Sequence, residues 1–531
     1  MELQTRWPFL KWDHPLLEDI MRTLAADRRA VVAGWGYRPS GKRASRAAGE
    51  AKSRLLLLED ALVRSLKPGS AQVYGLVADS RGIYYDATGK SDLVASLESG
   101  LPEGWMRPQT ADLAVLMDRF RAVKASKYNW YPADFEHAAA DFPPGVLVVD
   151  QTRHDASLKA GGMADGDFER MIRDALDEHP AEIIYLRSHP DHRYRGKHSC
   201  FAPWVFDEQR VRLLPPDLSP ASCFEFCREI YAGTSLMGME GLIHSCRVKT
   251  YGWNFYAGWG LTEDRCQTAV RRRERKLELP RLFEAAYLEY CHYFDPDSGE
   301  PCGLGRILDH LELQRDIARQ GNGLHITAGW APWKRGLAED FFRSPGTELR
   351  HGDSLHVASE ISKTAGNARL LLWGAAAAPV DPASTWLRVE DGFLRSSGLG
   401  ATFHRPLSWV VDDLGIYFDP RTPSRLEMLL EQRDFTAAER ADAAELWQFL
   451  RENRLTKYNL RGSQVAWSRE SAGGRKIILV PGQVEADASI QCGSPNLKSN
   501  AELLKAVRAV EPTAFIIFKD HPDLEIGRAH V

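Results

Sequence analysis

Residues 146–157 read VLVVDQTRHDAS, and residues 477–489 read IILVPGQVEADAS. Each stretch begins with an apolar run and contains a glutamine that is followed four and six residues later by an aspartate and a serine. A short, nearly continuous apolar run is typical of a strand buried on both faces of a parallel sheet. Polar residues directly after such strands build the ligand sites of open α/β sheets. The two stretches therefore predict an α/β fold with functional side chains at strand ends.

The chain repeats its motifs in the same order. Gln151 returns as Gln483 (483 − 151 = 332), and His189-Pro190 returns as His521-Pro522 (521 − 189 = 332). Two further motifs recur upstream: Lys127-Tyr128-Asn129 as Lys457-Tyr458-Asn459, and Glu59-Asp60 with Arg64-Ser65 as Glu390-Asp391 with Arg395-Ser396. This period is far longer than the ~20 to 50 residues of solenoid and propeller repeats, so it indicates that a whole domain is duplicated.

Each copy is expected to consist of two lobes. We expect a first module at residues 1–305, with lobes at about 1–130 and 145–265, and a second module at 306–531 with an additional segment around 331–364. The second module is expected to lack the end of its second lobe, because the counterpart of Ser235 would fall beyond Val531. The predicted strands are 30–36, 55–58, 146–149 and 183–186 in the first copy and 370–374, 386–389, 477–480 and 515–518 in the second, with helices at 167–178 and 501–510.

The composition is that of an ordinary water-soluble protein. Of 531 residues, 44% are hydrophobic and 26% are charged, and the net charge of −4 provides no general attraction for nucleic acid. The sequence shows neither a signal peptide nor the ~18 continuous apolar residues of a membrane span, so we expect a cytoplasmic chain. Eight cysteines without a CxxC pair, and no DxD-like motif, predict no metal and no cofactor; Cys223 and Cys227 are expected to be reduced core thiols on one helix.

Asp155 and Asp487 are the candidate catalytic residues. Each follows a predicted strand and is itself followed by an alanine and a serine. A carboxylate at such a position is suited to act as a nucleophile or general base at a sugar carbon. The alternative is structural, because Asp-x-Ser after a strand also forms Asx turns and helix N-caps. The retention of Gln151, Asp155 and Ser157 as Gln483, Asp487 and Ser489 favours the chemical role.

Two other motifs are candidate anion-binding elements. His189-Pro190 and His521-Pro522 follow strands, where an imidazole can donate a hydrogen bond to a phosphate. Ser235 precedes a predicted helix whose free N-terminal amides favour an anion, and Glu240, one turn later, can accept hydrogen bonds from ribose hydroxyls. The alternative is again structural, with Ser235 as a helix cap and Glu240 as a surface residue.

A second carboxylate motif lies on the first lobe of each copy. Glu59-Asp60 and Glu390-Asp391 each follow an apolar strand and are candidate acid–base groups for an acceptor. They can instead pair with the nearby Arg64 and Arg395. We favour a structural ion pair that also contributes to function.

The motifs together resemble the KpsC capsule polysaccharide proteins, which are tandem β-Kdo transferases. The resemblance covers almost the whole chain and rests on EDGFLRS at 390–396, DLGIYFD at 413–419, PGQVEADAS at 481–489 and FYAGWGLTED at 255–264. It implies two modules of the glycosyltransferase-B type, each with two Rossmann-like lobes that enclose a cleft, the second module being incomplete. It also implies transfer of Kdo from CMP-Kdo to a Kdo primer on lysophosphatidylglycerol, in alternating β-2,4 and β-2,7 linkages.

Residue by residue, the resemblance places the family's catalytic aspartate at Asp155 and Asp487. Retention of configuration follows if that carboxylate is a nucleophile, because two displacements at one carbon restore the starting face. The acceptor side is then formed by Glu59, Asp60, Arg64, Glu390, Asp391 and Arg395. The donor side is formed by Gln151, Ser157, His189, Pro190, Ser235, Glu240, Gln483, Ser489, Lys519 and His521.

The sequence departs from the family pattern at several positions. Ala61 and Leu62 stand where the second copy has Gly392 and Phe393, so the first acceptor loop is expected to differ. Ser188 and Asp520 precede the two His-Pro motifs, where the family usually has proline. We expect an active first module, and a second module that binds CMP-Kdo poorly if the chain is complete.

Two rival functions fit the same motifs. One is a transferase for another CMP-activated sugar acid such as sialic acid, and the other is a non-catalytic scaffold that binds polysaccharide within the capsule export machinery. The expected partners are CMP-Kdo, the lysophosphatidylglycerol-linked acceptor and capsule biosynthesis and export proteins, with peripheral contact at the inner face of the inner membrane and no nucleic acid.

Overall fold

The fold is known from a computed structural model. It describes residues 31–68, 72–99, 113–137, 139–164, 166–189, 196, 198–266, 275–344, 346–365, 368–376, 385–399, 404–460 and 468–522. The chain divides into two compact units, Met1–Asn322 with Ser344–Gly346 (unit 1) and Gly323–Arg343 with Thr347–Val531 (unit 2). Each unit combines helices with sheets that contain parallel strands, which confirms the α/β class.

Unit 1 contains two separate sheets, one in each lobe. The first-lobe sheet has the order β1-β2-β3-β10-β11, and the second-lobe sheet has the order β6-β5-β4-β7-β8-β9. The strands are β1 (Val31–Trp35), β2 (Arg54–Asp60), β3 (Gly75–Asp79), β4 (Gly145–Val149), β5 (Ile183–Arg187), β6 (Val211–Leu213), β7 (Cys227–Ala232), β8 (Arg247–Thr250), β9 (Glu263–Asp264), β10 (Cys291–Phe294) and β11 (Pro301–Cys302).

All pairings in the second-lobe sheet are parallel, as the apolar runs predicted. The first-lobe sheet is different, because only β1 and β2 run parallel while β3, β10 and β11 are antiparallel to their neighbours. The two strands that the sequence predicted in this lobe, at 30–36 and 55–58, are thus parallel as expected, whereas the antiparallel strands β3, β10 and β11 were not predicted. A parallel neighbour requires a crossover element, and the described residues between β2 and β3 contain no helix.

The helices of unit 1 cover both sheets. They are α1 (Pro39–Ala51), α2 (Asp92–Ser99), α3 (Leu113–Ala122), α4 (Ala133–Glu136), α5 (Ala156–Ala160), α6 (Asp167–Glu178), α7 (Pro220–Phe226), α8 (Leu236–Ile243), α9 (Leu279–Phe283) and α10 (Leu304–Gly321), with a π-helical segment at Glu284–Glu289 and 3₁₀ turns at Ala139–Asp141 and Pro203–Phe206. Helix α6 has the predicted bounds, and its apolar stripe of Phe168, Met171, Ile172 and Ala175 is buried.

The end of unit 1 returns to the first lobe. Leu304, Ile307, Leu308 and Leu311 of α10 lie in the same buried core as Phe120 of α3. Helix α10, which the sequence assigned to the second module, thus belongs to unit 1 because its apolar face packs there. A second difference concerns the two cysteines expected on one helix: Cys223 lies on α7, but Cys227 begins β7. Both are free and buried, as expected.

Unit 2 has a five-stranded sheet of order β13-β12-β14-β15-β16 and a parallel pair β17-β18. In the larger sheet only the β15–β16 pairing is antiparallel. The strands are β12 (Gly323–Ala328), β13 (Thr347–Gly352), β14 (Arg369–Trp373), β15 (Thr385–Asp391), β16 (Trp409–Asp412), β17 (Ile477–Pro481) and β18 (Phe515–Lys519). The helices are α11 (Pro332–Phe341), α12 (Leu355–Ala365), α13 (Arg425–Gln432), α14 (Ala437–Glu452), α15 (Ala488–Gly493) and α16 (Asn500–Val510), with a 3₁₀ turn at Arg469–Ala472.

No helix in the described ranges combines the length and hydrophobicity that a bilayer crossing requires.

The repeated Lys-Tyr-Asn motif forms a clamp that recurs in both units. In unit 1 the backbone N–H groups of Arg64 and Ser65 donate to the carbonyl of Lys127, at 2.9 and 3.3 Å. The Asn129 side chain donates to the carbonyls of Ser65 and Ser126, at 3.1 and 3.0 Å, and accepts from Ser126 N at 3.0 Å. These bonds fasten the loop that follows β2.

Unit 2 repeats the clamp with its own copy of the motif. Arg395 N and Ser396 N donate to the carbonyl of Lys457, at 2.8 and 3.2 Å. Asn459 donates to the carbonyl of Ser396 at 3.0 Å. The recurrence of Lys-Tyr-Asn and Arg-Ser along the chain is therefore explained by backbone architecture.

Asn129→Ala should loosen this loop in unit 1. The substitution leaves three buried backbone groups without their partner, which costs about 1–3 kcal/mol. Hydrogen exchange measured by mass spectrometry should show faster exchange of peptides covering 60–68 and 124–131. The exposed Asn453→Ala is the control and should leave both peptides unchanged. Unchanged protection in Asn129→Ala would show that the clamp does not stabilise the loop.

Candidate active site

Asp155 lies at the carboxyl end of β4 and is the N-cap of α5. Its Oδ1 accepts a hydrogen bond from Ser157 N at 2.9 Å, and the residue is half-buried. The preceding His154 has a φ of +66°, a conformation that few non-glycine residues adopt and that is enriched at functional sites. The structural alternative for Asp155 is thus realised as a cap, but a carboxylate has a second oxygen that remains available for chemistry.

A buried amide joins the ends of β4 and β7. Gln151 Nε2 donates to Thr234 Oγ1 at 3.0 Å, and its Oε1 accepts from Thr234 N at 2.7 Å. Ser157 Oγ lies 2.9 Å from Thr234 Oγ1. A glutamine can satisfy both a donor and an acceptor, so Gln151 holds Asp155's helix next to the loop after β7. Sequence reasoning did not select Thr234, although it directly precedes the selected Ser235.

Ser235 begins helix α8 at this same edge of the sheet. Its Oγ accepts from Met237 N at 3.3 Å, and its carbonyl accepts from Tyr256 Oη at 2.5 Å. Gly238 N donates to the Ser235 carbonyl at 3.1 Å, and the positive end of the helix dipole attracts an anion. Ser235 is therefore a helix cap at a position where the helix can also hold a phosphate.

His189 comes two residues after Arg187, where β5 ends, and is half-buried. Because β5 pairs in parallel with β4, His189 and Gln151 each lie two residues beyond the carboxyl end of their strand, at the same edge of the sheet. Pro190 lies outside the described residues. The edge thus carries the imidazole, the carboxylate and the helix α8 terminus that the sequence proposed as one site.

Glu240 points into the protein, towards the first lobe. It is 2% exposed, and its Oε1 accepts from Ser126 Oγ at 2.8 Å and from Lys127 N at 3.3 Å. Its Oε2 is buried and has no hydrogen-bond partner among the described residues. Burial raises the pKa of Glu240 to about 7, although Ser126 and Lys127 N oppose the rise. In this structure Glu240 joins the two lobes, and a contact with ribose stays a prediction.

On the first lobe, Glu59 and Asp60 are the last two residues of β2. Glu59 Oε1 accepts from Trp35 Nε1 at 2.9 Å and from Asp60 N at 3.2 Å. Burial raises the pKa of Glu59, while the nearby Lys127 lowers it. Asp60 instead pairs with Arg64, whose Nε lies 2.7 Å from Asp60 Oδ2. Asp60 therefore has a structural role in an ion pair, whereas Glu59 is suited to take up or release a proton.

Tyr85 connects the two carboxylate sites. Its hydroxyl accepts from Tyr37 N at 3.0 Å. Burial raises the pKa of Tyr85 to about 12, with Glu59 and Asp155 both contributing. The backbone of Ala87 also donates to the carbonyl of Ala160, in Asp155's helix, at 3.1 Å. The segment that holds Tyr85 and Ala87 thus lies against the helix that Asp155 caps, and the charges of Glu59 and Asp155 both act on Tyr85.

The corresponding residues of unit 2 are more exposed. Asp487 is the N-cap of α15 and accepts from Ser489 N at 2.8 Å and Ser489 Oγ at 2.6 Å. Gln483 exchanges two backbone bonds with the Asn500 side chain, at 2.8 and 2.9 Å. Lys519 ends β18 and is exposed, and the half-buried His521 packs edge-on to Tyr458 with ring centroids 6.5 Å apart.

In the first lobe of unit 2, as in unit 1, the aspartate forms an ion pair with arginine and the glutamate has a raised pKa. Arg395 Nε lies 2.6 Å from Asp391 Oδ2, and Arg395 is 2% exposed. Glu390 Oε1 accepts from Asp391 N at 2.9 Å. Burial raises the pKa of Glu390 despite the nearby Lys334 and Lys457.

Within the described ranges, Glu178, His179 and Glu229 are the one group of acidic and histidine side chains close enough to share a metal. Lys249 Nζ lies 2.5 Å from Glu178 Oε2 and also pairs with Glu229. The ammonium already neutralises these carboxylates, so the group is a charge network that lies apart from Asp155.

Glu240→Gln should stabilise unit 1 at high pH. A carboxyl whose pKa rises from 4.5 to about 7 on folding binds its proton more tightly in the folded state. The folded chain therefore loses stability as pH rises through this range, by up to ~3 kcal/mol. Urea unfolding should show wild type and Glu240→Gln alike at pH 5 and the variant more stable at pH 8. An equal difference at both pH values would contradict this assignment.

The amino-acid sequence of the chain matches a known protein family and several known proteins. Residues 121–293 and 374–530 match the family described as capsule polysaccharide biosynthesis protein. The capsule polysaccharide modification protein LipA of Neisseria meningitidis serogroup B is 36% identical over 514 residues, 94% of this chain and 72% of that protein. The lipopolysaccharide-processing protein LpsZ of Rhizobium meliloti is 42% identical over 268 residues, 49% of this chain and 59% of that protein.

Among solved structures, Thermosulfurimonas dismutans KpsC, beta Kdo 2,4 transferase, is similar with 34% identity and a TM-score of 0.47, over 52% of this chain and 86% of that one. Its beta Kdo 2,7 transferase is similar with 22% identity and a TM-score of 0.40, over 58% and 91%. The family match covers both copies of the repeated motifs, and LipA aligns with nearly the whole chain. This chain belongs to the capsule polysaccharide biosynthesis protein family, as its resemblance to the KpsC proteins predicted.

Proposed function

We propose that the chain is a retaining glycosyltransferase that adds β-linked Kdo from CMP-Kdo to a lysophosphatidylglycerol-linked Kdo primer, in alternating β-2,4 and β-2,7 linkages. The observation that carries the proposal is the position of Asp155. It is a half-buried carboxylate that caps α5, which Gln151, Ser157 and Thr234 hold next to the start of α8. Family membership supports a role in capsule synthesis, and the KpsC-like motifs support the choice of sugar.

In the first step, the Asp155 carboxylate attacks the anomeric carbon of Kdo. A carbon–oxygen bond forms to the aspartate as the bond to the phosphate of CMP breaks, and CMP departs with the electron pair. The first-turn amides of α8, beginning at Ser235, and the imidazole of His189 stabilise the phosphate charge. A nucleotide with a single phosphate can be neutralised by such protein donors alone.

In the second step, an acceptor hydroxyl displaces Asp155 from the same carbon. Glu59 accepts the proton of that hydroxyl, and burial, which raises its pKa, makes it a stronger base than an exposed glutamate. The two inversions at one carbon give net retention. Gln151 orients Asp155 through Ser157 and Thr234, so it is a positioning residue.

The primer carries a lipid, so we also propose peripheral contact with the inner face of the inner membrane. The same lipid-linked product would be passed to capsule export proteins. Unit 2 contains the same carboxylates, and we propose that each unit forms one of the two linkages.

Asp155→Asn should abolish formation of a sugar–protein adduct. Asparagine caps a helix as well as aspartate does, so the fold is retained while the nucleophile is lost. Incubation with CMP-Kdo without acceptor should add the mass of one Kdo to Asp155 in the wild type, as seen by peptide mass spectrometry. In Asp155→Asn the adduct should be absent and transfer should fall at least ~1000-fold.

The exposed Asp207→Asn is the matched control and should retain both adduct and transfer. Transfer that persists in Asp155→Asn would exclude Asp155 as the nucleophile. Glycan binding that persists without any transfer by the wild type would favour the scaffold function.

CMP-Kdo should be preferred to CMP-sialic acid as donor. Both donors have the same nucleotide, so any difference reports the sugar pocket rather than the phosphate contacts. Competition of the two donors for adduct formation at Asp155 measures this preference directly. A preference for CMP-sialic acid would keep the retaining transferase and change its sugar.

A further inference from the structure

The two acceptor-side glutamates are built into equivalent corners of the two first lobes. In unit 1 the neighbouring strand β1 ends at Trp35 and is followed by Gly36. In unit 2 the neighbouring strand β14 ends at Trp373 and is followed by Gly374. Gly36 N donates to the carbonyl of Leu58 at 2.8 Å, and Gly374 N donates to the carbonyl of Val389 at 2.9 Å. These bonds hold each glycine beside the strand that delivers the glutamate.

Both glycines are required by this corner. Gly36 has a φ of +35° and Gly374 a φ of +56°. A Cβ on Gly36 would lie 2.8 Å from Glu59 Oε2, and one on Gly374 would lie 3.0 Å from Glu390 Oε2. The second carboxylate oxygen of each glutamate thus lies where a side chain at the glycine position would collide with it.

In unit 2, Lys334 from a different part of the chain lies next to this corner. Lys334 lies on α11, and its Nζ is 3.2 Å from the centroid of the Trp373 ring. Trp373 is held edge-on by Trp330 and Trp409, with ring centroids 5.2 and 5.5 Å away. The ammonium is therefore positioned by a rigid aromatic surface, since a cation is attracted to the face of an indole.

Lys334 and Glu390 influence one another electrostatically. Burial lowers the pKa of Lys334 to about 8, and Glu390 and Asp391 oppose the fall. Among the described residues, no carboxylate forms an ion pair with Lys334 within 4.0 Å. A half-buried ammonium near a glutamate, held by a ring instead of a salt bridge, is arranged to receive an anion from outside the protein.

Lys334 lies in the segment around 331–364 that the sequence indicates as an addition to the second copy. Two strands, β13 and β14, separate its helix from β15, which carries Glu390. The cation beside this glutamate is thus supplied by that additional segment.

We propose that Lys334 binds the carboxylate of the acidic-sugar acceptor in unit 2, next to the glutamate that receives its hydroxyl. This inference rests on the proposed function and assigns the residue that recognises the acceptor's carboxylate. A terminal sugar acid offers both a hydroxyl for Glu390 and a carboxylate for Lys334. The exposed ring of Phe393, 5.0 Å from Tyr417, adds an apolar surface for the sugar.

Site-resolved lysine labelling of the full chain tests the unit 2 subsite without requiring transfer. The probe is the methyl glycoside of Kdo, compared with its carboxamide analogue, and the readout is the rate of acetylation of each lysine by mass spectrometry. The acid should slow labelling of Lys334 at least threefold, and the amide should not. Lys363 on α12 is 55% exposed and should be unaffected.

Affinity measurements on variants complete the test. Lys334→Met keeps an apolar contact with Trp373 and should abolish the preference of unit 2 for acid over amide, whereas Lys334→Arg should retain it. Unchanged labelling of Lys334 with the acid, equal protection by the amide, or an unchanged acid preference in Lys334→Met would overturn the proposal.

The experiment separates this inference from the proposed function. Loss of the acid preference with no adduct at Asp155 in the wild type would support the subsite and reject the transferase. A Kdo adduct at Asp155 with no role for Lys334 would support the transferase and reject the subsite.

Discussion

The segment Ser126-Lys127 is the connection on which the site of unit 1 depends. The Lys127 carbonyl accepts from Arg64 N and Ser65 N of the acceptor-side loop. On the other side of Lys127, its N–H group and the Ser126 Oγ donate to Glu240, on the helix that Ser235 begins. One short segment therefore sets the distance between the glutamate of the first lobe and the helix terminus of the second.

Placing carboxylates in this junction has an energetic cost that varies with their partners. Glu240 is buried with one oxygen lacking a hydrogen bond, and its pKa rises to about 7. Asp60, in contrast, is paired with Arg64. A raised pKa shows that the fold tolerates an unfavourable charge, which is frequent where function needs the group. Glu59 combines such a raised pKa with a place beside Tyr85, opposite Asp155.

The two units share backbone architecture more closely than side-chain environment. Both contain the clamp on the Lys-Tyr-Asn motif, the Asp–Arg pair and the capping aspartate. In unit 2 the Trp373 ring, next to Glu390, also holds Lys334 from the segment added to the second copy. A duplicated fold thus preserves the position of the carboxylate, while an added segment changes the charge around it.

Local sequence determined eight of the strands, the helix α6 and the capping positions of Asp155 and Asp487, because apolar periodicity and small polar residues act over a few neighbours. The repeat also revealed which polar residues recur, but it did not distinguish clamp residues such as Asn129 from site residues such as Glu59. Only the tertiary structure decided that Glu240 faces Ser126, that Thr234 completes the Gln151 network, that β3 and β10 run antiparallel, and that Lys334 lies over Trp373. Each of these contacts joins segments far apart in the chain, and their geometry depends on how the sheets and helices pack rather than on any local pattern.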